Sequence, residues 1–344
     1  MFHGPPEAGA LRLEFAGKEG RGLLEVLRGP RVAPGLRFFP AQVRRSLEAH
    51  WLARVERLAG GSIEVVWLFE NSRFFDMGFA DKRLKIYQQV DLNQSFKPAT
   101  AATTADIAIA LNDPIRNQFL ALGVNSPVHL ISHGLSIATS SSDDVDLSSI
   151  STERFNAVYA GNLGSKYLDV EAFSTVVREH ALQVHFHIFG RYEKDMLLWI
   201  ALHNASNVTW HGWQQPRLMR TFLEKMDIAI VAYRTELDPD QISNSHKVLE
   251  YLNSGAVVIS SFLADYAHRP DLIEMASLGE SYANHFSATL SRLNELNTPD
   301  RRSQRQSYSI EHTYPQKLDE IEALIDKYCP EKLGMIRAPL REGI

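Results

Sequence analysis

Residues Asn244–Ser260 read NSHKVLEYLNSGAVVIS and place a helix directly before a strand. Asn244 or Ser245 can cap the helix start. Val248, Leu249 and Leu252 fall on one apolar face. Gly255 suits the left-handed residue that ends a helix. The apolar run that follows has the length of a buried strand. Lys247 stands in the first helical turn, where the helix macrodipole disfavours a cation. A lysine placed against that preference suits a site that holds an anion such as a diphosphate. Glu250, one turn on along the same side, can accept hydrogen bonds from sugar hydroxyls. A Lys–Glu pair on an ordinary surface helix is the plain alternative.

The same alternation runs through most of the chain. Short apolar runs predict strands at 62–69, 83–88, 107–110, 128–132, 157–161, 183–189, 208–211, 228–233 and 256–260. Between them, helical periodicity covers 41–58, 113–122, 169–180, 215–225, 246–253 and 316–327. Strands alternating with helices imply βαβ units and parallel sheets covered on both faces. The polar stretch IATSSSDDVDLSSIST at 137–152 breaks the pattern and reads as a linker. The expected organisation is a Rossmann-like domain at 1–137 with a weak or missing first βα unit, and a linker at 138–151. A second Rossmann-like domain follows at 152–310, then a C-terminal helix and tail at 311–344.

Composition removes several classes. A chain of 344 residues with 44% hydrophobic and 22% charged side chains can bury two cores and is not a disordered chain. The net charge of −5 gives no basic field for nucleic acid. The single cysteine, Cys329, excludes a disulfide framework and a multi-cysteine zinc site. No apolar run reaches the roughly 18 residues of a membrane span, and the first residues lack a secretory pattern. The expected location is the cytoplasm. Asp143, Asp144 and Asp146 lie in the polar stretch and read as solvated charge, so no metal site is expected.

Other strand ends carry residues suited to ligands. The turn after 157–161 holds Gly161, Asn162 and Lys166; a glycine turn between strand and helix lets backbone N–H groups approach an anion. The next strand ends at Gly190-Arg191, where open α/β sheets bind ligands. The following one ends His211-Gly212-Trp213, a turn able to present backbone groups to a nucleobase. For each of these, a structural turn or an exposed side chain reads about equally well.

Taken together, these segments resemble the donor-binding half of GT-B glycosyltransferases of the family-4 type. HKVLEYLNSGAVVIS is similar to that group's "HKxxEYLxxGxxVV" signature. YAGNL, HIFGR, NVTWHGW and DIAIVAY resemble the landmarks before it, in order and spacing. The resemblance implies two Rossmann-like parallel-sheet domains facing a cleft, with a C-terminal helical tail. It implies a donor diphosphate on Lys247, with Arg191 and Lys166 as further contacts. Glu250 would meet the ribose or the donor sugar. Backbone at His211–Trp213 would hold the base, and Asn244, Ser245 and His246 would turn N–H groups to the phosphates. Many retaining members carry a second glutamate eight residues before the position of Glu250; here that residue is Ile242.

An inverting sugar transfer needs a base in the first domain. Asp91, in the segment YQQVD, is the leading candidate and His133, in SHGLS, the second. Glu70 and Asn71 are weaker. Helix 41–58 carries Leu47, Trp51, Val55 and Leu58 on one face with four arginines, a pattern able to lie on an anionic membrane, although core packing explains it as well. The reading is a metal-independent glycosyltransferase without a cofactor, acting on a nucleotide-sugar donor and a carbohydrate or lipid-linked acceptor in bacterial surface polysaccharide or glycolipid assembly. Peripheral contact with the inner membrane surface would run through 41–58. The alternatives are a degenerate GT-B protein that binds a nucleotide sugar or a partner without turnover, and a nucleotide-sugar epimerase.

Overall fold

The computed structural model describes residues 2–6, 11–19, 22–29, 32–33, 35–69, 74–92, 98–136, 146–237 and 246–332. The chain divides into two compact units: residues 1–130 with 321–344, and residues 131–320.

The first unit opens with β1 (Phe2–Pro6), β2 (Arg12–Glu19) and β3 (Gly22–Gly29), which form a separate sheet in the order β1-β3-β2. β2 and β3 are antiparallel, with Arg12 opposite Arg28 and Glu14 opposite Val26. Glu14 receives Arg12 at 3.0 Å and Arg28 at 3.2 Å. Where a first βα unit was expected to be weak or missing, β2 is therefore half of a hairpin. The chain between β2 and β3 is far too short for the crossover helix that parallel strands need.

Next come α1 (Ala41–Ala59), β4 (Val65–Phe69), β5 (Leu84–Gln89), α2 (Pro98–Thr104), β6 (Ile107–Ala110), α3 (Asp113–Ala121) and β7 (Val128–Leu130). The four strands pair parallel in chain order. β6 is buried throughout, as its all-apolar sequence requires in a sheet covered on both faces. Asn112 starts α3 by accepting the N–H of Ile115.

The expected apolar face of α1 is split. Trp51, Leu52 and Val55 pack into the core with Phe74 and Phe79, while Leu47 and Leu58 are 37% and 42% exposed. Arg44 and Arg45 are not free surface charges. Both bind the buried Asp76, Arg45 at 2.7 Å. Glu48 is fully buried beside them, 4.0 Å from Arg44. Burial pushes its carboxyl up to about 8, over the opposing pull of Arg44. At the chain's other end, Tyr328 packs on His129 at 5.1 Å and Lys332 reaches Asp106 at 2.7 Å. The C-terminal segment thus completes the first unit instead of forming a separate tail.

The second unit runs β8 (Phe155–Ala160), α4 (Val170–Glu179), β9 (Val184–Phe189), α5 (Leu197–Leu202), β10 (Val208–Gly212), α6 (Pro216–Leu223), β11 (Ile228–Val231), α7 (Lys247–Ser254), β12 (Val257–Ser260) and β13 (Ile273–Met275). Four helices close it: α8 (Tyr282–Ser291), α9 (Leu293–Leu296), α10 (Pro299–Ile310) and the first part of α11 (Tyr314–Tyr328). Its six strands are parallel in the order β10-β9-β8-β11-β12-β13. Phe173, Phe186 and Phe286 fill one face of the sheet. Phe222, Val248 and Tyr251 fill the other. Arg305 of α10 is buried and donates to the carbonyls of Gly255 and Leu296, satisfying backbone oxygens beyond the end of α7. The polar sequence of α10 gives almost no apolar period, so sequence showed only the helix after it.

The boundary between the units lies at 130, not 137, because Leu135 bridges Thr313 and takes the carbonyl of His312 at 2.7 Å. The expected linker is ordered at its end: Leu147 and Ile150 pack on the α6–α7 face. Residues 137–145, with Asp143 and Asp144, lie outside the described residues, as do Glu70 and Asn71. Among the described residues no helix is long and apolar enough to cross a membrane.

Glu48 sets a pH dependence. Its carboxyl rises in the folded state from 4.5 to about 8, so its contribution is intact at low pH and is lost as pH climbs through that window. Urea midpoints at pH 5 and pH 8 should differ less for Glu48→Gln than for wild type; equal differences would remove this assignment.

Candidate functional site

The chain moves from β8 outward through β9 to β10, then returns to place β11 on the other side of β8. Open parallel sheets bind ligands at the carboxyl ends of their strands, where the strand order reverses. Here that point lies between β8 and β11. The two loops leaving these strands are joined: Leu168 bridges Tyr233, Asp169 N–H donates to Ala232 at 3.0 Å, and Arg234 N–H donates to Tyr167 at 2.8 Å. Asp169 also starts α4 by accepting the N–H of Ala172 at 2.9 Å.

Lys247 opens α7 at this crevice and is only 7% exposed. Its ammonium sits 4.6 Å from the ring centre of Tyr159 and 5.1 Å from that of Tyr233. Both are within cation–π range. Burial works against the charge. Tyr159, Tyr233 and Tyr251 work for it, with Tyr233 also hydrogen-bonded to the ammonium, and the balance lies upward. Lys247 is therefore a cation at neutral pH, and among the described residues the groups that favour its charge are tyrosines. Tyr251 holds α7 to the end of β8: its hydroxyl accepts the N–H of Ala160 at 2.8 Å. Sequence reading missed all three tyrosines. The signal was present as an aromatic at the end of each strand and inside the EYL motif.

Glycines clear the crevice. Gly161 has φ of 155°, and a Cβ there would stand 2.9 Å from the Lys247 ammonium. Gly190 has φ of 146°, and a Cβ there would run into the carbonyl oxygen of Gly161. The N–H of Gly161 donates to Phe189 at 3.1 Å and that of Gly190 to Gly212 at 2.9 Å, so three strand ends are tied in a row.

The other expected residues divide. His246 immediately precedes α7, and His133 meets it edge-on at 5.7 Å. Burial, with His246 beside it, holds His133 down to about 4. Glu250 is half-buried one turn along α7, close enough to Tyr314 to affect its hydroxyl. Asn162 shapes its own turn by accepting the N–H of Gly164 at 3.0 Å. Lys166 and Arg191 are exposed, Lys166 lying 4.8 Å over the ring of Tyr167. His211 stacks on Phe189 at 4.2 Å and contacts the buried His187 at 3.1 Å, while Trp213 is 59% exposed. Asn244 and Ser245 lie outside the described residues. Asp91 belongs to the first unit, just past β5. There the buried Gln89 donates to its carbonyl at 3.0 Å and fixes the backbone. Gln89 is a buried polar contact of this turn that sequence alone did not single out.

Gly190→Ala tests the packing of these turns. It combines a left-handed φ with a backbone collision and should cost about 2 kcal/mol or more, read as a lower urea midpoint. An unchanged midpoint would show that the two turns do not touch.

Residues 154–281 match the family model described as "Glycosyl transferases group 1". No curated protein matches the sequence. Among solved structures, the chain is similar to a trehalose-6-phosphate synthase studied for glycosyl transfer with retention, at 10% identity and a TM-score of 0.66, covering 94% of this chain and 92% of that one. It is similar to a sucrose-phosphate synthase from Thermosynechococcus elongatus, at 11% identity and a TM-score of 0.64, covering 88% and 83%. It is also similar to Anabaena HepE, solved with UDP and glucose, at 12% identity and a TM-score of 0.63, covering 88% and 85%. At such identities these likenesses establish the fold. Residues 154–281 thus match the group 1 glycosyltransferase model, and the chain has the fold of these GT-B glycosyltransferase structures.

Proposed function

We propose that the protein moves a sugar from a nucleotide-diphosphate donor to a hydroxyl acceptor without a metal ion or cofactor. The observation that carries this reading is Lys247: a buried cation at a helix start, at the reversal of strand order, flanked by the rings of Tyr159 and Tyr233. Such a cation with the first N–H groups of α7 suits a diphosphate. As the glycosidic bond to the donor breaks, negative charge grows on the leaving diphosphate, and Lys247 stands ready to stabilise it. Lys166 and Arg191 add longer-range positive charge from the neighbouring strand ends. Glu250 takes hydroxyls of the ribose or the donor sugar.

In this reading Asp91 removes the acceptor hydroxyl proton as that oxygen attacks the anomeric carbon. His133, beside His246, supports the phosphate end. The acceptor is a carbohydrate or a lipid-linked saccharide of bacterial surface polysaccharide or glycolipid assembly. Contact with a membrane would use the exposed Val43, Leu47, Arg54 and Leu58 of α1, since Trp51 is committed to the core.

A thermal-shift series with nucleoside diphosphates tests the donor site. A diphosphate at 100 times its dissociation constant should add about 2.7 kcal/mol to the stability of the wild type. Lys247→Ala should lose that shift. Asp91→Asn should keep it while transfer falls about 10²- to 10⁴-fold. If Lys247→Ala retains the shift, the diphosphate lies elsewhere.

A further inference from the structure

We propose that the donor's base occupies a cavity beside β10 and that Asp146 makes that base guanine; the inference rests on the donor-site reading above. The cavity, of about 330 Å³, lies within the second unit, between β9 and β10, α6 and the segment 146–149. Phe189, Phe222 and His211 form its ring-lined side, with Phe189 and His211 stacked at an interplanar angle of 5°. Asp146, Ser149 and Gln214 form its polar side. A slot with aromatic walls and a few polar groups at one edge is built for a flat, hydrogen-bonding ring.

One group on the polar side is free to meet an occupant. Asp146 uses Oδ1 to accept the N–H of Ser148 at 2.9 Å and has acceptor capacity left. Gln214 is already committed, its side-chain nitrogen donating to the carbonyl of His211 at 3.0 Å. Asp146 is the one acidic residue of the lining and so its strongest acceptor.

The position fits a donor whose diphosphate lies on Lys247. The ammonium faces Tyr159 of β8, and the cavity lies at β10, two strands away in the same sheet. Two strand spacings are about 10 Å, within the reach of a nucleoside diphosphate from phosphate to base.

The chemistry of Asp146 then selects. An ionised carboxylate only accepts hydrogen bonds. Guanine presents two adjacent donors on its Watson–Crick edge, the ring N1–H and the exocyclic amine, and a carboxylate can accept both at once. Uracil and thymine place one N–H between two carbonyl oxygens. Adenine and cytosine place a ring acceptor beside the amine. In each of those cases a lone pair faces the carboxylate.

Titration calorimetry of the full chain with GDP, UDP, ADP, CDP and dTDP, on wild type, Asp146→Asn and Lys247→Ala, decides this. GDP should bind wild type most tightly. Asp146→Asn should weaken GDP roughly tenfold or more and leave UDP within about twofold. Asp146 is at the surface, so the variant should fold, and an unchanged thermal midpoint without ligand confirms it. If another diphosphate binds best and Asp146→Asn leaves the order unchanged, the guanine assignment is overturned while the Lys247 site stands. If no diphosphate binds the folded wild type, the donor-site reading itself falls.

Discussion

The second unit depends on one constraint, a buried ammonium at the wrong end of a helix. Cations are disfavoured at helix starts and costly to bury. The protein meets both difficulties with tyrosines. Tyr159 from β8 and Tyr233 after β11 turn ring faces to Lys247, and Tyr251 from α7 locks the helix to the end of β8. Each ring contributes about 0.5–2 kcal/mol, and none brings a counter-charge. Glycine at 161 keeps a side chain out of the space around the ammonium, and glycine at 190 lets its own turn pack against that one. A buried cation faced by neutral rings is suited to an anionic ligand, the role proposed for it.

The first unit solves a different problem with the same kind of group. There Asp76 holds Arg44 and Arg45 at the start of α1, and burial keeps Glu48 protonated at moderate pH. The ion pairs fix a helix against the loop after β4. In a sequence these charged residues look no different from the lysine proposed to hold a donor.

Much of the fold was legible because it rests on local periodicity. Parallel strands buried on both faces read as apolar runs, and β6, β8, β11 and β12 stand where those runs predicted them. The helix that starts at Lys247 and the glycine turns at 161 and 190 were legible because capping and turn rules are local too. The opening sheet was misread, since the difference between a parallel unit and a hairpin lies in the length and return of the connection, not in the strand sequence. Helix α10 was missed because a buried arginine, and not an apolar stripe, fixes it.

The sequence by itself determined the alternation of strands and helices, the helix that begins at Lys247 and the chemistry able to meet a diphosphate there. Those properties depend on neighbours a few residues apart. Only the tertiary structure decided that three tyrosines from positions 159, 233 and 251 surround one ammonium, that Trp51 belongs to the core, and that Asp146 lines a cavity with Phe189 and His211. Each of these joins residues tens of positions apart, and their meeting is set by strand order and packing, which local propensity does not encode.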